Sequence, residues 1–301
     1  FSCKYSGLSS GKLSEGSIML RKKSKRHFYI VTVIVVLLVI WTAWSNTTVG
    51  ITHYTVASDK LPASFDHYSI VVVSDLHNAE FGENNSQLIK LIEKEKPDII
   101  VITGDLVDSN KTNIDIAQKL VGTLTGIAPC YYVTGNHEAW LGEQYQELES
   151  ILLDEGVAIL HDRAVQLIKN TESIQLAGLD DPDFTDRAPL QQSMIKTKIN
   201  NMNLTDNYCV LLSHRPEAFE DYVSENIDLV LSGHAHGGQF RLPIIGGIVA
   251  PNQGLFPKYD AGIYSENYTT MVVSRGIGNS IIPIRFNNRP EIISVELICE
   301  S

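Results

Sequence analysis

The chain has 301 residues, of which 44% are hydrophobic and 20% charged, a globular composition that excludes intrinsic disorder and fibrous repeats. Seven Lys or Arg residues and a single acid give residues 1–27 a net charge of +6, whereas the other 274 residues carry −17. A body this acidic repels polyanions, so no nucleic-acid partner is expected. The four cysteines are far apart in the sequence, which argues against a zinc-thiolate site or a disulfide scaffold.

A hydrophobic stretch follows the basic segment. Residues 28–44 contain no formally charged side chain, and as a helix they would extend over about 25 Å, a short membrane span. We predict an uncleaved, single-pass anchor in the cell membrane, with residues 1–27 in the cytoplasm and the acidic body outside it. A cleaved export signal is the alternative, because Ala43-Trp44-Ser45 fits a signal-peptidase site.

After the anchor, strand patterns alternate with helix patterns. Residues 45–68 are polar without a period and are predicted to be a linker, which leaves residues 69–301 as one α/β domain. Strands are predicted at 70–73, 99–103, 131–133, 157–160, 173–179, 209–213, 228–232, 270–274 and 291–297. Helices are predicted at 86–96, 114–124 and 144–155. The first three strand ends are about 30 residues apart, the size of a βαβ unit, so the sheet should be at least partly parallel.

Five of the loops that end these strands carry carboxylate, amide or imidazole side chains. They are Ser74-Asp75-Leu76-His77, Gly104-Asp105-Leu106-Val107-Asp108, Gly135-Asn136-His137-Glu138, Ser213-His214-Arg215-Pro216 and Gly233-His234-Ala235-His236. A single Asp or His after a strand is usually a turn residue, but α/β folds assemble their sites at this edge. Imidazoles and carboxylates together suit divalent metal ions, and without a cation the carboxylates would repel one another. The sequence therefore predicts a metal centre.

These five motifs resemble, in content and order, those of the calcineurin-like metallophosphoesterase superfamily. They are D-x-H, G-D-x-x-D, G-N-H-[DE], a lone His and G-H-x-H, and the resemblance extends over about residues 68–298. The segments 233–243 and 274–278 resemble the membrane-associated or exported bacterial branch. The resemblance implies a four-layer α/β/β/α sandwich, preceded here by one N-terminal transmembrane helix.

The resemblance also implies two divalent metal ions, of Mn, Fe, Zn or Ni. The first ion would be held by Asp75, His77, Asp105 and His236. The second would be held by Asp105, Asn136, His214 and His234, so that Asp105 bridges the two. His137 would be the catalytic imidazole above the phosphoryl group, and Asp108 would orient neighbouring loops or serve as a turn residue. Glu138 stands where many family members have Asp, which leaves only its supporting role in doubt.

The expected activity is hydrolysis of a phosphodiester or pyrophosphate bond, for example in a lipid or envelope substrate. Two cations about 3.5–4 Å apart lower the pKa of a bridging water enough to supply hydroxide, and they neutralise charge on the phosphate. A phosphomonoesterase using the same site is an alternative. A non-catalytic binding module on the same fold is a weaker one, because every ligand position is filled.

Three further features leave two interpretations open. Arg215 and Arg275 either hold a second phosphate or form structural ion pairs, and the ion pairs are favoured. The apolar segment Leu242–Phe256 forms either a buried hairpin or a surface for an acyl chain or bilayer. Asp180-Asp181-Pro182 is predicted to be a turn, at or near the rim of the site.

Overall fold

The structure, a computed structural model, describes residues 11–185, 192–279 and 281–300, in two compact units divided between Trp44 and Ser45. Helix α1 (Gly11–Thr47) contains a segment, Lys25–Thr47, that is long and apolar enough to cross a membrane. Its side chains from Phe28 to Ile40 are apolar on all sides of the helix apart from Thr32, as a membrane span requires. The predicted hydrophobic helix is therefore confirmed.

The first sheet has six strands in the order β1-β16-β2-β3-β4-β5. Their bounds are β1 Gly50–Ser58, β2 Tyr68–Val73, β3 Ile99–Thr103, β4 Cys130–Val133, β5 Ala158–Ile159 and β16 Glu291–Cys299. Strands β2 to β5 are parallel, as the βαβ spacing predicts. The last strand, β16, lies antiparallel to β2 and parallel to β1.

The second sheet also has six strands, in the order β14-β15-β9-β8-β7-β6. Their bounds are β6 Arg163–Lys169, β7 Glu172–Gly178, β8 Cys209–Leu212, β9 Leu229–Ser232, β14 Gly262–Glu266 and β15 Thr269–Val273. The four inner strands are parallel, and β6 and β14 close the edges as antiparallel hairpins. Two short hairpins precede β14, formed by β10 (Arg241–Leu242) with β11 (Gly246–Gly247) and by β12 (Val249–Ala250) with β13 (Gly254–Leu255).

Helices cover the outer face of each sheet. Helices α2 (Ser86–Glu95), α3 (Ile114–Leu124) and α5 (Tyr145–Asp154) pack on the first sheet, and α6 (Gln192–Asn201) and α7 (Phe219–Ser224) pack on the second. The short helix α4 (Asn136–Trp140) lies between β4 and α5 in the chain. Within β2 the side chains alternate, as a strand buried on both faces demands: Val71 and Val73 contact the helix layer, whereas Ile70 and Val72 enter the core between the sheets. The layers are helices, sheet, sheet and helices, so the predicted α/β/β/α fold is confirmed.

The prediction that residues 45–68 form only a linker is wrong over residues 50–58. These nine residues form β1, the edge strand that pairs with β16 at the end of the chain. Most of its side chains are partly exposed, so the segment lacks the apolar run that marks the inner strands. Its partner lies 241 positions later in the chain, and a local pattern does not indicate so distant a pairing.

Candidate metal centre

The chemically distinctive loops converge because they follow parallel strands of both sheets. Strands β2, β3 and β4 lead into the loops of Asp75, Asp105 and Asn136, and strands β8 and β9 lead into those of His214 and His234. The carboxyl ends of parallel strands lie at one edge, and here the two edges meet. Every side chain predicted to bind metal is buried, as is that of His137.

The first group consists of Asp75, His77, Asp105 and His236. One ligand atom from each lies within 4.8 Å of the other three. His77 Nε2 is 3.2 Å from His236 Nε2 and 3.5 Å from Asp105 Oδ2. Two atoms bound to one ion at about 2.1 Å are at most ~4.2 Å apart, so this spacing suits a single cation.

The second group shares Asp105 with the first. Ligand atoms of Asp105, His214 and His234 again lie within 4.8 Å of one another. His214 Nε2 is 3.2 Å from Asp105 Oδ2 and 3.2 Å from Asn136 Oδ1, which adds the fourth predicted ligand. The Nδ1 atom of His234 faces the same group of ligand atoms and lies 3.1 Å from His214 Nε2. The structure thus brings together both predicted sets, with Asp105 common to them.

The hydrogen bonds of His214 show that this pocket fits a cation. Its Nδ1 donates to the Thr103 carbonyl at 2.7 Å, so the neutral ring presents a lone pair at Nε2. That lone pair faces Asp105 Oδ2 and Asn136 Oδ1, and the amide oxygen and carboxylate are acceptors as well. Burial lowers the pKa of His214, but the Asp105 carboxylate outweighs it and raises the pKa to about 10, so at neutral pH a proton occupies Nε2 unless a metal ion takes its place. Converging acceptors of this kind are satisfied by a positive charge among them.

The other imidazoles are held neutral, the form that binds a metal. Burial lowers the pKa of His77 to about 4 and that of His236 to about 3. Burial, followed by the charge of Arg215, puts the pKa of His234 well below its usual value. Burial by itself would raise the pKa of Asp105, yet His214 and His77 hold it well below the usual range, so the carboxylate is ionised.

The backbone of the ligand loops is unusual for residues other than glycine. Residues with a left-handed conformation include the predicted ligands Asp75 (φ 51°), His77 (φ 45°), Asp105 (φ 53°), His234 (φ 67°) and His236 (φ 48°). This region costs a residue with a side chain roughly 1–2 kcal/mol. Such conformations persist where surrounding structure enforces them, typically at functional sites.

Two glycines let the ligand loops approach one another. A Cβ added at Gly135 would lie 2.2 Å from Asp105 Oδ1, and one added at Gly233 would lie 1.9 Å from Ser74 Oγ. Both distances are far below van der Waals contact. The glycines of the G-N-H and G-H-x-H motifs are therefore required by packing between loops rather than by a turn.

Glu138 links the loop after β3 to the loop after β4 through hydrogen bonds. Its carboxylate accepts hydrogen bonds from the backbone N–H groups of Asp105 (2.8 Å), Leu106 (2.8 Å) and Gly135 (2.7 Å). Burial and then the Asp105 charge raise the pKa of Glu138 to about 7. The longer Glu in place of the family's frequent Asp thus retains a clear structural role, which the motif alone did not reveal.

His137 lies beside the ligand groups, with its ring centroid 4.5 Å from that of His77. The backbone N–H of Ser109 donates to His137 Nδ1 at 3.1 Å, so a neutral ring carries its proton on Nε2. Asp108 Oδ1 is farther from Nδ1, at 3.9 Å, and it accepts from the backbone N–H of Asn110 at 2.7 Å. Of the two roles open to Asp108, this contact is the one a turn residue makes.

The two arginines whose role the sequence left undecided, Arg215 and Arg275, both form ion pairs. Arg215 is buried and donates to Asp181 through Nε (2.6 Å) and Nη2 (2.7 Å), and Arg275 pairs with Glu291. Asp181 also caps the turn at residues 182–184.

A third arginine, Arg285, was not singled out by any motif. It is fully buried, with Nη2 3.3 Å from His236 Nδ1, and it donates to the Arg275 and Gly278 carbonyls.

The segment Leu242–Phe256 is largely exposed, so a buried hairpin is not what forms. Ile244 is fully exposed, and Leu255 and Phe256 are 71% and 61% exposed. Its polar residue Asn252 is also exposed, but its Oδ1 lies 3.1 Å from His234 Nε2.

A buried cluster of Asp and His side chains at the carboxyl edges of two packed sheets defines a metal-binding α/β protein, and sequence comparison now specifies its family. The chain belongs to the calcineurin-like phosphoesterase family, whose model matches residues 68–238. The predicted family is confirmed.

Three curated relatives agree with this assignment. The chain is 31% identical over 255 residues to the uncharacterized metallophosphoesterase YkuE of Bacillus subtilis, covering 80% of this chain and 82% of the relative. It is 31% identical to a zebrafish (Danio rerio) transmembrane protein with metallophosphoesterase domain, covering 79% of this chain but 55% of the relative. It is 29% identical to the phosphodiesterase YaeI of Escherichia coli, covering 77% of this chain and 82% of the relative.

Proposed function

We propose that the protein is a dinuclear-metal phosphoesterase that hydrolyses a phosphodiester or pyrophosphate bond. The observation that carries this proposal is the pair of buried ligand groups that share Asp105. Asp75, His77 and His236 complete the site of the first ion, and Asn136, His214 and His234 complete that of the second. Bound ions of Mn, Fe, Zn or Ni would activate a water and offset the negative charge of the phosphate.

His137 supplies a proton in this proposal. Its Nδ1 accepts from Ser109, so the neutral ring keeps its proton on Nε2, where it donates a hydrogen bond to a phosphoryl or leaving-group oxygen. The ring is packed between His77 and Trp140, with centroid distances of 4.5 Å and 4.8 Å, which fixes its orientation. Burial of the site makes this donor more effective than it would be in water.

Metal-dependent hydrolysis by the purified full-length protein tests the proposal. Bis-p-nitrophenyl phosphate, p-nitrophenyl phosphate and a nucleoside pyrophosphate are each offered with Mn²⁺ and after chelation. We expect Mn²⁺-dependent turnover that is greatest on the diester or the pyrophosphate. Preference for the monoester would instead favour a phosphomonoesterase.

A variant of His137 tests its role. His137→Ala should lower kcat by about 10²–10⁴-fold while the metal content, measured by inductively coupled plasma mass spectrometry, stays the same. His67→Ala, which changes an exposed imidazole distant from the ligand groups, is the matched control and should keep full activity. Unchanged turnover in His137→Ala would contradict the role given to it.

We also propose a single-pass location in the cell membrane with the catalytic domain outside the cytoplasm. The support is the apolar helix and the seven basic residues among positions 1–27, since basic flanks remain cytoplasmic. A substrate that is a lipid-linked phosphate ester would suit this location. Proteolysis of intact spheroplasts should remove the domain; complete protection with cleavage only after lysis would contradict the orientation.

A further inference from the structure

Six large apolar side chains form an exposed set beside the metal centre, which we call the apolar face. Each is at least 46% exposed, and they are Ile244, Ile245, Leu255, Phe256, Ile281 and Ile284. Single exposed apolar residues are common on protein surfaces, but a concentration of large ones marks an interaction surface.

The three segments that carry these side chains are hydrogen-bonded to one another. The backbone N–H of Arg241 donates to the Phe286 carbonyl at 2.9 Å, which joins the first hairpin to the segment of Ile281 and Ile284. The N–H of Ile248, at the start of the second hairpin, donates to the Phe240 carbonyl at 2.8 Å, which joins the second hairpin to the residue that precedes the first. Backbone hydrogen bonds therefore hold together the segments that form the apolar face.

Two residues of the apolar face have a backbone conformation in which large apolar side chains are unusual. Ile244 and Phe256 have φ values of 74° and 56°, in the left-handed region that glycine and asparagine adopt most easily. A β-branched residue is especially costly there. An exposed turn in water would favour a small polar residue at both positions, so these side chains are suited to an environment other than water.

The end of the membrane helix indicates what covers the apolar face. Asn46 lies in the last turn of α1 and inside the candidate span Lys25–Thr47. Its side chain binds Arg285 in both directions, donating to the carbonyl at 2.7 Å and accepting from the N–H at 2.8 Å. Arg285 directly follows Ile284. The segment that carries Ile281 and Ile284 is thus hydrogen-bonded to the next-to-last residue of the candidate membrane span.

The same segments contact the ligand loops of the metal centre. Asn252, between β12 and β13, is hydrogen-bonded to His234, and Asn288 donates to the His236 carbonyl at 2.7 Å. We propose that the apolar face inserts into the interfacial layer of a lipid bilayer, so that the metal centre operates at the membrane surface. Insertion itself requires neither metal nor hydrolysis, whereas access to a lipid-linked substrate rests on the proposed function.

Insertion depends on apolar area and not on charge. Arg241 is paired with Asp260 at 2.9 Å, Arg285 is buried, and the exposed Lys258, two residues after Phe256, lies 3.5 Å from Glu220, so these three basic residues already have protein partners. Binding to anionic headgroups would weaken as salt shortens the screening length to ~3 Å near 1 M. Apolar insertion should persist in zwitterionic lipid and at high salt.

Spin labels on the full-length protein in phosphatidylcholine nanodiscs test the proposal. Nitroxides are attached to Ile244→Cys and Phe256→Cys in a background with Cys3→Ser and Cys299→Ser; Cys130 and Cys209 are buried. Collision with oxygen, which concentrates in lipid, is compared with collision with a nickel chelate that stays in water. Ile168→Cys is the matched control, because Ile168 is 75% exposed but lies in β6 opposite the start of β7, away from the ligand loops.

We expect labels at residues 244 and 256 to collide with oxygen in preference to nickel, at low and high salt alike, and the label at residue 168 to show the reverse. Equal nickel access at all three positions would overturn the proposal. Exclusion of both reagents, with or without a short label-to-label distance between two copies, would mean that protein covers the face and would also overturn it. Hydrolysis of bis-p-nitrophenyl phosphate by the labelled proteins separates failure of insertion from failure of the phosphoesterase proposal.

Discussion

The metal centre and the apolar face both depart from the usual distribution of side chains in a folded protein. The metal centre buries polar groups, whereas the apolar face exposes apolar ones. At the metal centre, charged and imidazole side chains such as Asp105 and His214 are buried. At the apolar face, side chains such as Ile244 and Phe256 are exposed. In both regions, residues with bulky side chains hold left-handed backbone conformations. Neither arrangement maximises the stability of a protein alone in water, and our two proposals account for them by bound cations in one region and lipid contact in the other.

The greatest effect is expected from Asp105→Asn. Because both ligand groups contain Asp105, this change should remove both metal ions and reduce kcat at least ~100-fold, the equivalent of at least about 2.7 kcal/mol of lost charge stabilisation. Asp75 belongs to only one group, so Asp75→Asn should leave one ion bound. Metal content and turnover measured together provide the check. Equal loss of metal in the two variants would show that Asp105 does not bridge.

The next greatest effect concerns the stability of the region around His234. Asp181→Asn leaves the buried Arg215 guanidinium without its bidentate partner and should lower the free energy of unfolding by about 3–5 kcal/mol. Asp183 also contacts Arg215, at 3.1 Å, but it is partly exposed, and Asp183→Asn should cost less than about 1 kcal/mol. Urea unfolding in detergent distinguishes them. Similar midpoints for the two variants would contradict the account of the buried pair.

At the apolar face a polar substitution should stabilise. Ile244→Asn relieves a left-handed conformation at a fully exposed residue and should raise the free energy of unfolding in detergent by about 1 kcal/mol. Ile168→Asn should have the opposite sign, because Ile168 is a strand residue and Asn disfavours strands. A loss of stability in Ile244→Asn would show that the side chain is needed for folding rather than for contact with another phase.

The smallest expected effect is a pH-dependent one at His161. Its hydrogen bond to Asp180, with Glu149 on the other ring nitrogen, raises the pKa of His161 above its usual value. The protonated form therefore stabilises the fold, fully below the unfolded pKa near 6.5, and this contribution is lost as pH rises through the folded pKa. Because the side chain is partly exposed, His161→Gln should cost only about 0.2–1 kcal/mol at pH 5.5 and less at pH 9. Equal costs at both pH values would contradict this.

Prediction from sequence succeeded where residue type and position in the pattern carry the chemistry. Asp75, Asp105 and His214 each follow an apolar parallel strand, and such strands place the loops at their carboxyl ends along one edge of a sheet. The family and the layered fold were predicted from the resemblance of these loop motifs to those of calcineurin-like metallophosphoesterases, and both are confirmed.

Prediction failed where a role is created by distant parts of the chain. Strand β1 exists because β16 pairs with it, and the side chain of Arg285 reaches His236 across 49 positions. Glu138 binds backbone groups of the Asp105 loop some thirty residues away, which a motif does not show. The exposure of the apolar face was equally hidden, since an apolar segment has the same pattern whether buried or exposed.

Crystals of the protein grown with Mn²⁺ and measured at the manganese absorption edge test the central claim most directly. The account predicts two anomalous peaks, roughly 3.5–4 Å apart, with Asp105 between them, His77 and His236 at one peak and His214 and His234 at the other. A single peak, or manganese bound away from these side chains, would contradict it.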